Sequence, residues 1–342
     1  MKTLILCMSI AVLSLYKEGV QALAINCSFQ FEAPIAFDFI NQSDIAESNA
    51  DLSPVSTEIA SNEQANICHY SVATGTISVE SISVSSAISV IEQTNKFGRG
   101  TCDIPTENIK RSISFDDNRV AIDYETKNGW PFSAMGIIKS TFEVGATFGT
   151  IFMAPGNLGI TAAHCVLNDG SFPGSSQAGF QLQELNGSSF IFEYGSNITD
   201  IFIPNEYYSS PYGSDYDWAV VKFADSTLES SVGSLSIGSG FSLYDTTNTI
   251  VGFPKDKNFV PQSSSGHGVI SCESNYYELY QFVNKGMSGG PLFFNYFNPS
   301  TLDEYMVVAG ITSQLVTYQS SGYTAKATRI SNSLISLVRL LK

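Results

Sequence analysis

The chain has 342 residues, 43% of them apolar and only 14% charged, which is enough apolar material for two ordinary domains or one large β domain. Asp and Glu outnumber Lys and Arg by 32 to 17, a net charge of -15, so a nucleic acid would have to bind against the protein's own field and is excluded as a partner. The three histidines, His69, His164 and His267, show no metal-ligand spacing such as His-x-x-x-His, which argues against a histidine-built zinc site.

Residues 1–24 read as a secretory signal: Lys2, the apolar run Leu4 to Tyr16, then Ala22-Leu23-Ala24 as a small-residue cleavage pattern. The run is too short to span a bilayer, and no other stretch has 18 uninterrupted apolar residues, so a secreted protein with no membrane span is expected. Cys7 leaves with the signal, and Cys27, Cys68, Cys102, Cys165 and Cys272 enter an oxidising compartment where disulfides persist. Their number is odd, so at least one thiol stays free or pairs between chains. Glycan acceptor patterns begin at Asn26, Asn41, Asn186 and Asn197, which makes a glycoprotein in a eukaryotic secretory route.

Residues 25–111 are dense in Ser, Thr, Ile and Val. From Tyr70 to Ile91, small polar residues alternate with β-branched ones, which predicts half-buried strands in a small β-rich, disulfide-supported module. Gly98 and Gly100 interrupt that pattern, and the dibasic pair Lys110-Arg111 follows.

From Ser112 onward short β-type runs recur between Gly, Pro, Asn and Ser clusters: Ala134 to Ile138, Gly149 to Met153, Phe190 to Tyr194, Trp218 to Phe223, Thr249 to Phe253 and Met306 to Ile311. Such spacing predicts an all-β barrel or sandwich. Only the end of the chain predicts a helix, with Ser331 as its cap and Leu334, Ile335, Leu337, Val338 and Leu341 on an apolar face.

Three local patterns carry chemistry. Gly159-Ile160-Thr161-Ala162-Ala163-His164-Cys165 is an apolar strand ending in a histidine; alone, it could be a structural histidine. Ser214-Asp215-Tyr216-Asp217 precedes the apolar run Trp218-Ala219-Val220-Val221; alone, it could be an acidic turn. Lys285-Gly286-Met287-Ser288-Gly289-Gly290-Pro291 flanks one serine with glycines; alone, it could be a glycine-rich hairpin, but it can also expose the hydroxyl and aim N–H groups at one point. Together the three supply what acyl transfer needs. Ser288 would be the nucleophile, His164 its general base, Asp217 the carboxylate that orients the imidazole, and the N–H groups of Gly286 and Ser288 the oxyanion hole.

In order, TAAHC, DWAVV and GMSGGP resemble the His, Asp and Ser motifs of the trypsin/chymotrypsin family of serine proteases. A closer likeness is to the glutamyl endopeptidase branch, through Phe202-Ile203-Pro204, Val251-Gly252-Phe253-Pro254, Ala327-Thr328-Arg329-Ile330 and the terminal helix. The resemblance covers residues 112–342 and implies two six-stranded β-barrels of chymotrypsin type with a C-terminal helix and the catalytic groups in the cleft between the barrels. It also favours Asp217 over Asp215, because Asp217 sits immediately before the Trp-Ala-Val-Val strand, as the family's aspartate does. It implies a secreted serine endopeptidase acting as a monomer on protein or peptide substrates, with no cofactor and no catalytic metal. The alternative is a protease-fold binding protein without activity; an esterase is a weaker third reading, since Gly286-Met287-Ser288-Gly289-Gly290 leads into what reads as a strand.

Departures from the family pattern set further expectations. Many members bridge the cysteine after the histidine to one about 16 positions earlier, where this chain has Thr147-Phe148-Gly149, leaving Cys165 without that partner. The position that gives trypsin-like enzymes their preference for Arg or Lys is Phe282, followed by Val283. The strand where glutamyl endopeptidases carry a histidine reads Ala309-Gly310-Ile311-Thr312-Ser313. Phe282, Val283, Thr312 and Ser313 are therefore the expected substrate-binding residues, forming a pocket that favours an uncharged side chain. Met287 stands where chymotrypsin-like zymogens carry an aspartate that captures the new N-terminal amine. Residues 25–111 are expected to form a pro-module cut near Lys110-Arg111, with activation by another route such as removal of a module that covers the cleft; the alternative is a permanent accessory module, and residues 112–342 form the protease domain.

Overall fold

The computed structural model describes residues 29–32, 63–85, 90–91, 117–123, 128–186, 189–210, 214–244, 246–273, 275–298, 303–318 and 322–342. The expected signal, Cys27, Cys102, the acceptor sites at Asn26 and Asn41, and Lys110-Arg111 lie outside the described residues.

Four strands precede the family-like region: β1 (Phe29–Glu32), β2 (Glu63–Ser71), β3 (Thr76–Val84) and β4 (Val90–Ile91). After β5 (Arg119–Ala121) come β6 (Met135–Phe142), β7 (Gly145–Ala154), β8 (Leu158–Thr161), β9 (Ser175–Asn186), β10 (Ser189–Pro204) and β11 (Ala219–Phe223). These last six close on themselves as β6–β7–β8–β11–β10–β9, with β9 returning to β6. Both faces of this closed sheet are buried, Ile151 and Phe180 on one and Ile137, Phe152, Ile160 and Val220 on the other.

The second sheet is built from β12 (Ser236–Gly238), β13 (Thr247–Gly252), β14 (Gln262–His267), β15 (Ser271–Cys272), β16 (Tyr276–Leu279), β17 (Pro291–Asn298), β18 (Asp303–Tyr318) and β19 (Gly322–Arg329). It runs β15–β16–β19–β18–β17–β13–β14–β5. Among the described residues no hydrogen-bonded pairing joins its ends, so it is a half-barrel where the family resemblance implied a second closed one. Its central strand is buried on both faces. Met306, Val308 and Ile311 point into the core shared with the first barrel, while Val307 and Ala309 point into a second core with Ile250, Leu279, Leu292 and Ala325. Two buried faces explain why this stretch reads as one continuous apolar run and not as an alternation.

Short helices α1 (Asn205–Ser209) and α2 (Leu228–Val232) connect strands, and α3 (Asn332–Leu341) ends the chain. The Ser331 hydroxyl accepts from Leu334 N at 3.2 Å, capping α3, whose Leu334, Ile335, Leu337 and Val338 are buried.

The N-terminal strands pack directly on this frame. β2 pairs with β10 over Ile67–Ser71 against Asp200–Pro204, β3 pairs with β2, and β4 pairs with β12. Ile67, Cys68, Tyr70 and Ile82 thereby enter the first core, and the Tyr70 hydroxyl donates to Pro173 O at 3.1 Å. Among the described residues Cys68, Cys165 and Cys272 are free thiols; burial pushes the Cys68 thiol up to about 11. Asn197 is exposed on β10, and Asn186 ends β9.

Candidate active site

Strand register brings the first two motifs together. β8 pairs with β11 so that Thr161 faces Ala219, which puts His164, just beyond one strand, beside Asp217, just before the other. Both strands are almost wholly buried, and this fixes the two residues on a common rim. His164 lies in the 3-10 turn Ala163–Cys165.

Asp217 is 3% exposed and its carboxylate accepts three hydrogen bonds. His164 N donates to Oδ1 at 3.0 Å, His164 Nδ1 donates to Oδ2 at 2.7 Å, and the Ser313 hydroxyl donates to Oδ2 at 2.5 Å. An ionised carboxylate can only accept, so the proton sits on Nδ1 and a neutral imidazole keeps Nε2 as a base. Burial alone would push the Asp217 carboxyl up, but His164 and the three donors outweigh it and hold the group below the ordinary carboxylate value. Burial likewise opposes the imidazolium of His164, and the Asp217 carboxylate outweighs that too, raising His164 well above the ordinary histidine value.

The third motif is a tight turn running into β17. Gly286 and Gly289 have φ of +96° and +86°. A side chain at 286 would meet Phe253 O, and one at 289 would meet Thr150 O, so both positions need glycine. The turn is tied down from both sheets: Thr150 N donates to Ser288 O at 2.7 Å, Thr150 Oγ1 donates to Gly286 O at 2.8 Å, and Gly289 N donates to Thr312 O at 2.7 Å. Cys165 Sγ, on the residue next to His164, lies 3.8 Å from Ser288 O. Ser288 is partly exposed. Met287, Gly289 and Gly290 spend their N–H groups on Asn284 O, Thr312 O and Met287 O; among the described residues the N–H groups of Gly286 and Ser288 have no partner. Two unspent donors, one on the serine itself and one two residues before it, suit a developing oxyanion.

The remaining expected residues fall around this turn. Asp215 is exposed, apart from the pair formed by its neighbour Asp217. Val283 and Thr312 are buried, Phe282 is half-buried, and the Thr312 hydroxyl has no partner among the described residues. Ser313, expected on the pocket wall, gives its hydroxyl to Asp217. Gly149 faces Cys165 Sγ at the place where a bridging cysteine would stand.

Sequence reading missed two residues here, Asn118 and Arg119. Asn118 Oδ1 accepts from Phe282 N at 3.2 Å, and the Arg119 guanidinium lies 4.8 Å from the Phe282 ring centroid. Nothing in the local pattern around them announces a contact with residues more than 160 positions away. Among the described residues no cluster of His, Cys, Asp and Glu could hold a metal ion, and no helix is long and apolar enough to cross a membrane.

Residues 120–335 match the Trypsin family. Among solved structures the chain is similar to a Glu endopeptidase determined in complex with MPD, with 20% identity and a TM-score of 0.52 over 67% of this chain and 98% of that one. It is also similar to the protease Anisep from Arthrobacter nicotinovorans, with 19% identity and a TM-score of 0.48 over 61% of this chain and 95% of that one. No curated protein sequence matches the chain. The family match spans most of the closed barrel and the half-barrel, and the chain belongs to the trypsin family as a serine-type endopeptidase.

Proposed function

We propose that the protein is an exported endopeptidase that hydrolyses peptide bonds through an acyl-enzyme on Ser288. His164 Nε2 takes the hydroxyl proton as Ser288 Oγ attacks the peptide carbonyl, and the N–H groups of Gly286 and Ser288 receive the oxyanion. His164 then returns the proton to the departing amine, leaving the acyl group on Ser288, and water repeats the sequence to release the acid. Asp217 keeps the imidazole in the tautomer with Nε2 free. The observation that carries this reading is the Asp217 carboxylate, held by three donors, two of them from His164.

A fluorophosphonate probe tests it. Labelling that disappears in Ser288→Ala, together with a loss of kcat on the order of 10⁶-fold, is the expected result. A folded wild-type protein that takes no label would leave a binding protein on a protease fold.

The half-buried ring of Phe282, the buried Val283 and the Thr312 hydroxyl favour an uncharged P1 side chain; a peptide-library cleavage profile dominated by acidic or basic P1 residues would reject that preference. Residues 1–24 are read as the export signal, and Lys110-Arg111 as a processing site. If the chain is cut there, the pairing of β2 with β10 and of β4 with β12 supports retention of those strands on the protease domain.

A further inference from the structure

The residue before Ser288 is Met287, fully buried in the second core and packed over Gly252, where a side chain would lie 2.8 Å from Met287 Cα. A methionine offers no charge to an N-terminal amine, so the loop that carries Phe282, Gly286 and Ser288 must be held by other groups. We infer that Asn118 and Arg119 hold it: they are positioning residues that set the pocket loop and the oxyanion turn from the strand that opens the family-like region. This inference rests on the proposed role of Ser288.

Asn118 stands just before β5 and uses both ends of its amide. Its Oδ1 accepts from Ser264 Oγ at 2.9 Å and from Phe282 N at 3.2 Å, and its Nδ2 donates to Ser265 O at 3.3 Å. One side chain thereby joins β14 to the main chain of the pocket loop, six residues ahead of the serine.

Arg119 acts on the other flank. Its side chain is 1% exposed, and burial of a guanidinium is tolerated only when its donors are matched. Asp117 accepts from Nε at 2.8 Å and Nη2 at 2.7 Å, while Asp256 accepts from Nη1 at 2.8 Å and Nη2 at 2.5 Å. Two bidentate carboxylates fix the plane of the group over the Phe282 ring. Asp256 lies in the 3-10 turn Lys255–Lys257. Lys255 N donates to Lys285 O at 2.7 Å, and Phe253 O packs against Gly286. The Arg119–Asp256 pair therefore sets the position of the turn against which the oxyanion donor rests. Asn118 acts on the pocket loop, while Arg119 reaches the pocket through Phe282 and the hole through Asp256.

The two roles give different kinetic signatures in the full chain. Asn118→Ala should change the ratio of kcat/KM between peptides with large and small uncharged P1 residues by tenfold or more. Asp256→Asn should lower kcat and weaken a peptidyl boronate by about the same factor, roughly tenfold, with KM unchanged; Arg119→Ala should weaken the boronate likewise and also shift the P1 ratio, and the double variant should be no worse than Arg119→Ala alone. Thermal melting confirms that each variant is folded at the assay temperature. Folded variants with wild-type selectivity and boronate affinity overturn the inference. Absence of fluorophosphonate labelling in the wild-type protein instead overturns the proposed role of Ser288, and the inference with it.

Discussion

The Ser313 hydroxyl donates to Oδ2 of Asp217, the same oxygen that receives His164 Nδ1. A carboxylate that is 3% exposed can stay ionised only if its oxygens are satisfied, and Ser313 supplies one of the three bonds. Removing a hydrogen bond to a charged group costs about 1.5–3 kcal/mol. Ser313→Ala should therefore lower kcat by roughly 10-fold to 100-fold while leaving KM near wild type, because the hydroxyl touches the carboxylate and not the substrate. A large rise in KM with unchanged kcat would return Ser313 to the pocket wall.

Activity should rise with pH along a limb set by His164. The imidazole acts only when neutral, and the Asp217 carboxylate raises it well above 6.5, so the limb should sit above the ordinary histidine range. Asp217→Asn removes that charge and should move the limb to lower pH, with kcat reduced by roughly 10⁴-fold through loss of the correct tautomer. For stability the signs are opposite. The raised His164 contributes fully below 6.5, and that contribution is lost as pH rises through its folded value. The lowered Asp217 contributes above 3.8, and that contribution is lost as pH falls through its folded value. The pair is thus most stabilising between 3.8 and 6.5, below the pH of best activity. Coincident optima of thermal stability and kcat would contradict this assignment.

Much of this was legible in sequence because it is local. The strand runs at Gly149 to Met153 and Thr249 to Phe253 fall on β7 and β13 to within a few residues, and His164, Asp217 and Ser288 each sit at the end of a buried strand or in a glycine turn. What escaped is long-range. Ser313 has no local mark that separates a hydroxyl aimed at Asp217 from one lining a pocket. Asn118 and Arg119 act on partners at positions 256 to 282. The alternation from Tyr70 to Ile91 predicts strands but cannot say that the hairpin adds through β2 to the barrel's own β10, since an edge is chosen by complementarity and not by period.

Acid should loosen the opening strand before it disrupts the rest. Arg119 holds the Asp117 carboxyl down to about 2, with Lys257 also facing it at 3.4 Å and Asp256 sharing the guanidinium. A carboxylate lowered in the fold stabilises above 3.8, and that contribution is lost as pH falls toward about 2. Asp117 is about a third exposed, so solvent screening limits its share to about 1 kcal/mol or less. Asp117→Asn should lower the melting temperature at pH 5 by about 2–4 °C, with the difference vanishing near pH 2. An equal difference at both pH values would assign the effect to packing.

The N-terminal hairpin should behave as part of the folded enzyme even where the chain is cut between it and β5. β2 covers the edge of β10 from Asp200 to Pro204, where β9 has already left the strand. Losing the hairpin would expose those unpaired main-chain groups and the apolar face that receives Ile67, Tyr70 and Ile82. The Tyr70 ring also stacks on Phe172 at 4.5 Å, and its hydroxyl bonds Pro173 O in the segment that follows His164. A protein cleaved at Lys110-Arg111 should therefore run as one species in native mass spectrometry and separate into two chains only in denaturant. Tyr70→Ala should cost about 3 kcal/mol, the low end for losing a buried aromatic ring, and should weaken retention of the fragment in the cut form. A fragment that leaves spontaneously, with stability and activity of the remainder intact, would make the hairpin a removable cover.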